Sequence, residues 1–226
     1  MILMKPNLSI LPESQRKLFL ELKNTPSHFV LYGGTAIALM LGHRISVDFD
    51  FFTHQRFDPD KLYQEIPYLQ GSEILHKEEN TLTCLLDRQG PIKVSFFGDL
   101  SLGCVYKPDI IDGPEIKIAS LIDLAGMKMA VIQKRAASRD YMDIEALLTQ
   151  AGIDLLTALA AGSIIYGKQF NPQISLKALV YFEGGDLKNL PREVKDHLIE
   201  VTKNLDLEQI PRRIAELQQI RREKQC

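Results

Sequence analysis

The chain has no apolar run approaching the roughly 20 residues that cross a bilayer as a helix, so no membrane span is expected. No repeat or low-complexity tract interrupts it. Cysteine is scarce: Cys84, Cys104 and Cys226 are odd in number, far apart and lack paired metal spacing. A reduced, cytoplasmic setting is therefore expected. The start, Met1 to Pro6, is too short and turns polar too soon for a signal peptide. Basic charge is not in excess either. The formal net charge of -2 gives no global attraction for nucleic acid, leaving only a local basic patch open. What remains is ordinary globular usage, 45% hydrophobic and 25% charged, over 226 residues. That length holds one domain with a good core, or one domain with a small appendage.

The most informative stretch is an apolar run, Phe29-Val30-Leu31, that leads through Tyr32 into Gly33-Gly34-Thr35. After an apolar helical turn comes Gly42-His43-Arg44-Ile45-Ser46-Val47-Asp48-Phe49-Asp50-Phe51-Phe52. A strand–Gly-Gly–helix junction lets the backbone approach an anion and aims the first helical amides at it. Thr35 adds a hydroxyl at the helix start. On a strand with period-two alternation, Ser46, Asp48 and Asp50 share one face, and Val47, Phe49 and Phe51 the other. Two same-side carboxylates repel unless a cation lies between them. A divalent ion with oxygen ligands, Mg²⁺ or Mn²⁺, is the usual choice beside phosphates. A phosphate cradle beside such a pair suits phosphoryl or nucleotidyl transfer. Taken singly, Asp-x-Asp reads as a solvated face and Gly-Gly as a turn. Their combination in this order points to the transferase.

Periodicity predicts a helix near Glu13 to Lys23, a strand over Phe29–Leu31, a helix over Thr35–Leu41 and a strand over Val47–Phe52. Asp58 and Pro59 open another helix. Strands follow near Glu73–His76, Thr81–Leu86 and Ile92–Phe97, the last two joined by a turn at Arg88 to Pro91. Val105-Tyr106 and Ile116-Lys117-Ile118 are short strand candidates. Ser120 to Asp123 has the form of a capping box, with helices expected to about Lys134 and from about Arg139 to Gln150. Beyond Gly152 only helical periodicity remains, over Leu155–Ala160, Leu176–Phe182, Val194–Lys203 and Leu207–Glu223. Two domains are thus expected, a mixed α/β domain over 1–152 and a helical domain over 153–226. The basic residues from Arg212 to Lys224 read as a solvated face rather than an RNA site.

Lys128 falls in the apolar stripe of its helix with Leu121, Leu124, Ala125, Val131 and Ile132. A lysine there needs a partner or must snorkel, so a triphosphate contact and a helix-end snorkel both stand. Asp140 and Asp143, three apart in Arg139-Asp140-Tyr141-Met142-Asp143, share a helix face. Asp140 is the stronger site candidate. It also suits a first helical turn, and Asp143 either braces the motif or pairs with Arg139.

Gly-Gly-Thr-Ala-x-Ala-Leu followed by Gly-His-Arg-x-Ser-x-Asp-x-Asp-Phe-Phe resembles the minimal nucleotidyltransferases of the DNA polymerase beta superfamily. Within it, the chain is similar to the AbiEii/AbiGii toxin group from about Phe29 to about Leu148. The resemblance implies an α+β fold, with a mixed sheet flanked by helices and then a C-terminal helical bundle. It implies Asp48 and Asp50 as metal ligands and catalytic residues with Lys128 and Asp140. Gly33, Gly34, Thr35, Ser46, Lys93 and Ser95 fall to the nucleotide, with Arg44 and Asp143 in support. Arg44 is also placed to pair with a nearby carboxylate, and Lys93 to be a plain surface lysine.

One position departs from the superfamily pattern. A third carboxylate, metal ligand and base, usually lies on a later strand. The matching strand here, Ile92 to Phe97, presents Lys93 and Ser95 opposite its apolar face of Ile92, Val94 and Phe96. Ser95 takes the carboxylate's place, and a serine is a poor base near neutral pH. Asp87 and Asp99 at the strand ends are the remaining carboxylates that could compensate.

The function implied is transfer of a nucleoside monophosphate from a nucleoside triphosphate to a hydroxyl on RNA, protein or a small molecule. Mg²⁺ or Mn²⁺ is the implied cofactor. A bacterial toxin–antitoxin or phage-defence role is implied, with a cognate antitoxin as partner. The alternative is a non-catalytic nucleotide- or protein-binding member of the fold, which Ser95 favours. An antibiotic-modifying transferase shares the chemistry with a different acceptor.

Overall fold

The computed structural model describes residues 3–223. Met1, Ile2, Lys224 and Cys226, which bear on the sequence reading, lie outside the described residues. Backbone contacts divide the chain into two compact units. The first runs through Ser101 and includes Pro108–Ala119; the second comprises Leu102–Lys107 and the chain from Ser120 onward.

The first unit holds β1 (Val30–Tyr32), β2 (Phe49–Phe52), β3 (Glu73–Glu78), β4 (Thr81–Asp87), β5 (Pro91–Phe97), β6 (Asp109–Ile110) and β7 (Lys117–Ile118). They form a seven-stranded mixed sheet in the order β3-β4-β5-β2-β1-β7-β6. Its helices are α1 (Glu13–Phe19), α2 (Gly33–Leu41) and α3 (Pro59–Glu65). β2 pairs antiparallel with β1 and parallel with β5, which makes it the axis of the site. Alternation dictates its burial: Phe49 and Phe51 are fully buried, as are Val94 and Phe96 on β5. Phe51 stacks on Phe96 with ring centroids 5.3 Å apart. Each such side chain contributes about 1.5–3 kcal/mol of burial. Asp58 caps α3 as expected, accepting the amides of Asp60 and Lys61 at 2.8 and 3.2 Å.

β2 starts at Phe49, so Ser46, Val47 and Asp48 precede it rather than lying in the strand. Val47 is consequently exposed instead of sharing the buried face of Phe49 and Phe51. The contact responsible comes from far along the chain: Gln15 on α1 donates its side-chain amide to the Val47 carbonyl at 3.1 Å.

The second unit is helical: α4 (Leu121–Val131), α5 (Ser138–Thr149), α6 (Leu155–Tyr166), α7 (Pro172–Leu179), α8 (Arg192–Lys203) and α9 (Ile210–Glu223). α4 and α6 approach closely because small residues meet. A Cβ on Gly126 would lie 2.6 Å from the Gly162 nitrogen and 2.7 Å from the Ala161 carbonyl carbon. This packing ties α4 and α5 to the later helices. The units therefore divide at Ala119 and Ser120, upstream of Gly152. No strand follows Ile118 among the described residues.

Val105 and Tyr106 do not form a strand. Their amides instead donate to the Asp123 carboxylate at 2.6 and 3.0 Å, anchoring that segment to the first turn of α4. Burial pushes the Asp123 carboxyl up, against the donors from Ser120, Val105 and Tyr106. Cys84 is buried with a free thiol. Among the described residues no helix is long and apolar enough to cross a membrane.

Candidate active site

In the first unit, β1 ends at Tyr32 and α2 begins at once. Gly33 takes φ +78°, a left-handed conformation that glycine adopts at little cost. A Cβ there would lie 3.0 Å from Asp50 Oδ2, so the glycine also makes room for the carboxylate. Tyr32, at the N-cap of α2, makes no side-chain cap hydrogen bond, and Gly33 and Gly34 are partly exposed there. That is the arrangement by which a helix N-terminus receives an anion.

Asp50 sits between Tyr32 on β1 and Ser95 on β5 in strand register. Ser95 is 3% exposed, in line with Thr83 on its other side. The position across the parallel pairing from Asp50 thus holds a neutral hydroxyl. Asp87 accepts the Gly90 amide at 2.8 Å in the β4–β5 turn, and Asp99 pairs with Arg56 at 3.2 Å. Both carboxylates serve turn and surface contacts.

Asp48 is fixed through its backbone. The Thr35 hydroxyl bonds to the Ser46 hydroxyl at 2.7 Å and donates to the Asp48 carbonyl oxygen. Thr35 and Ser46 are buried, so they hold the carboxylate-bearing segment against α2 rather than offering free hydroxyls to a nucleotide. The Asp48 carboxylate itself is part-exposed, with Lys93 Nζ 3.1 Å from Oδ2. Arg44 donates Nη1 to the Ile45 carbonyl at 3.0 Å.

Among the described residues no group of three or more His, Cys, Asp or Glu is arranged to hold a metal ion. Asp48 and Asp50 are hard oxygen donors with two negative charges. By donor chemistry they would suit one divalent ion completed by water and phosphate oxygens.

The second unit carries a different cluster. Lys128 on α4 lies 2.7 Å from Asp140 Oδ1 and 2.6 Å from Asp143 Oδ2, both on α5. Arg135, in the α4–α5 loop, donates Nε to Asp140 Oδ2 at 2.7 Å and Nη2 to Oδ1 at 3.0 Å. Both carboxylates are fully buried and the Lys128 side chain is 7% exposed. Lys128 is therefore a clamped ammonium rather than a snorkelling one. Burial alone would raise the Asp140 carboxyl, but Arg135 and Lys128 outweigh it and hold it below the usual carboxylate range. Arg135 escaped the sequence reading. Its only signal was a basic residue five positions before Asp140.

The mixed sheet and the helices that follow it have the polymerase-beta-like nucleotidyltransferase fold. The sequence matches the family described as "Nucleotidyl transferase AbiEii toxin, Type IV TA system" over residues 20–219, and the chain belongs to that family. An uncharacterized protein of Aquifex aeolicus (strain VF5), aq_aa25, is 35% identical over 163 residues, 69% of this chain and 74% of that protein. The fold is similar to MenT4, nucleotidyltransferase toxin Rv2826c from Mycobacterium tuberculosis H37Rv. That likeness has a TM-score of 0.59 at 16% identity, covering 94% of this chain and 89% of the other. It is also similar to JHP933 from Helicobacter pylori, with a TM-score of 0.54 at 17% identity and coverage of 94% and 97%. The chain is thus a nucleotidyltransferase of a toxin family, and its family description implies a nucleoside triphosphate substrate and an antitoxin partner.

Proposed function

We propose that this nucleotidyltransferase is metal-dependent and moves a nucleoside monophosphate from a triphosphate to an acceptor hydroxyl, RNA being one candidate acceptor. The observation that supports this best is the junction at Gly33. The N-terminus of α2, a glycine with φ +78° and the Asp50 carboxylate meet there. Asp48 and Asp50 would hold Mg²⁺ or Mn²⁺, which when bound supplies charge neutralisation at the phosphates. Gly33 and Gly34 present backbone to the phosphates, while Thr35 and Ser46 keep Asp48 in place. The acceptor oxygen forms a bond to the α-phosphorus, and the bond from that phosphorus to the pyrophosphate oxygen breaks. The hydroxyl proton leaves to a neighbouring carboxylate or to water, since Ser95 is a poor base. Lys128 and Asp140 are proposed as the catalytic pair of the helical unit, with Asp143 and Arg135 bracing them. A cytoplasmic location and a role in phage defence complete the reading.

Ser95 supports a second reading, in which the chain binds a nucleotide without transferring it. Incubation with each labelled triphosphate, Mg²⁺ and total bacterial RNA, protein or aminoglycosides distinguishes the two. Label transfer that depends on Asp48 and Asp50 supports the first reading. Triphosphate binding without transfer to any acceptor supports the second.

A further inference from the structure

One of the two carboxylates proposed to hold the metal already has a cation beside it, supplied by the chain. Lys93 Nζ lies 3.1 Å from Asp48 Oδ2, with the side chains 41% and 27% exposed. The pairing follows from the sheet. β5 runs parallel to β2 with Val94 in register with Phe49, so Lys93 falls beside Asp48 just as Ser95 falls beside Asp50. The two members of the pair differ in freedom. The Asp48 backbone is tied to Thr35, whereas the lysine ends a flexible four-carbon stem. If one partner moves, it is Lys93.

A half-exposed ion pair is weakly held. It still repels a second cation approaching the same oxygen. Phosphate oxygens offer an ammonium a stronger, charge-assisted partner than a solvated carboxylate does. Resting on the metal-dependent reading above, we propose that Lys93 is a displaceable internal counter-ion. It neutralises Asp48 while the site is empty, opposes a divalent ion arriving alone, and transfers its contact to the triphosphate when metal and nucleotide arrive together. Binding of the two is thereby coupled. A free triphosphate and a free divalent ion are each disfavoured, and their complex is the ligand the site accepts.

The test uses the full chain free of nucleotide, with Mn²⁺ alone followed by electron paramagnetic resonance. We expect Lys93→Met to tighten Mn²⁺ about five- to tenfold, because a repelling charge is removed. Lys93→Arg keeps the charge and should stay within about twofold of the wild type. In a second arm, at saturating Mn²⁺, inorganic tripolyphosphate should bind Lys93→Met about tenfold more weakly than the wild type. Unchanged or weaker Mn²⁺ binding by Lys93→Met overturns the counter-ion. Unchanged tripolyphosphate binding overturns the transfer of its contact. Asp48→Asn separates these results from failure of the underlying reading. If it leaves Mn²⁺ binding as in the wild type, the metal does not sit at Asp48, and both fall together.

Discussion

Lys93 meets Asp48 at 3.1 Å with both side chains part-exposed, whereas Lys128 lies 2.7 and 2.6 Å from two fully buried carboxylates. The residue types are the same and the surroundings are opposite. A half-exposed pair is worth about 0–1 kcal/mol, so its members are free to exchange partners at small cost. Breaking a buried pair leaves an uncompensated charge out of water and costs about 3–5 kcal/mol. The first cluster is built for ligand exchange. The second, closed further by the Arg135 fork on Asp140, is built to hold α4 and α5 in register. Lys128 and Asp140, proposed here as catalytic, must therefore carry a structural duty as well.

The largest effect that would break this contrast lies in the second unit. Lys128→Met should lower the unfolding free energy by about 3–5 kcal/mol, since it removes the buried ammonium that Asp140 and Asp143 share. Urea titration measures it. A loss below about 1 kcal/mol would mean that the cluster is not closed as drawn. Asp140 adds a pH dependence of known sign. Its folded carboxyl is depressed, so its contribution is present above the ordinary aspartate range, near about 4, and is lost as pH falls through the folded value. Wild-type stability should therefore drop on acidification below that range, and Asp140→Asn, already destabilised at neutral pH, should lack that part of the drop. Unfolding midpoints of the two proteins across acid pH compare them directly.

Smaller effects sharpen the first unit. Gly33→Ala places a Cβ 3.0 Å from Asp50 Oδ2 at φ +78°. We expect about 1–2 kcal/mol of destabilisation from the backbone, with transfer activity falling further than stability alone explains. Ser95→Asp puts a carboxylate in register with Asp50. It should tighten Mn²⁺ about tenfold by adding a third oxygen anion while destabilising the metal-free protein, because the position is buried. Unchanged Mn²⁺ affinity would show that Ser95 does not face the metal. Lys93→Met should shift stability by less than about 1 kcal/mol, in keeping with its exposure.

Much of this was legible in the sequence because it is local. The Gly33-Gly34-Thr35 junction, the Asp58 cap and the alternation in β5 each depend on neighbours within a few residues. The expected strand over Val47–Phe52 shortened at its start because Gln15, a distant residue, takes the Val47 carbonyl. Val105 and Tyr106 looked like strand until the Asp123 carboxylate took their amides. The division at Ala119 and Ser120 depends on Gly126 meeting Gly162, a fit between two helix surfaces that periodicity does not encode. The same holds for Lys128. Its place on an apolar stripe announced a partner, but the geometry of α4 against α5 chose Asp140 and Asp143 together. For Thr35 and Ser46, the hydroxyls expected to meet a nucleotide are turned inward on each other.

The most direct measurement is transfer of label from α-labelled triphosphates to bacterial RNA in the presence of Mg²⁺, comparing the wild type with Asp48→Ala and Asp50→Ala. Each substitution removes one of the two carboxylates proposed to hold the metal, which on that reading costs several kcal/mol of transition-state stabilisation. We expect transfer to fall by about a thousandfold or more, with the folded state intact because Asp48 is part-exposed. Transfer that persists within about tenfold in both variants would contradict the two-carboxylate site.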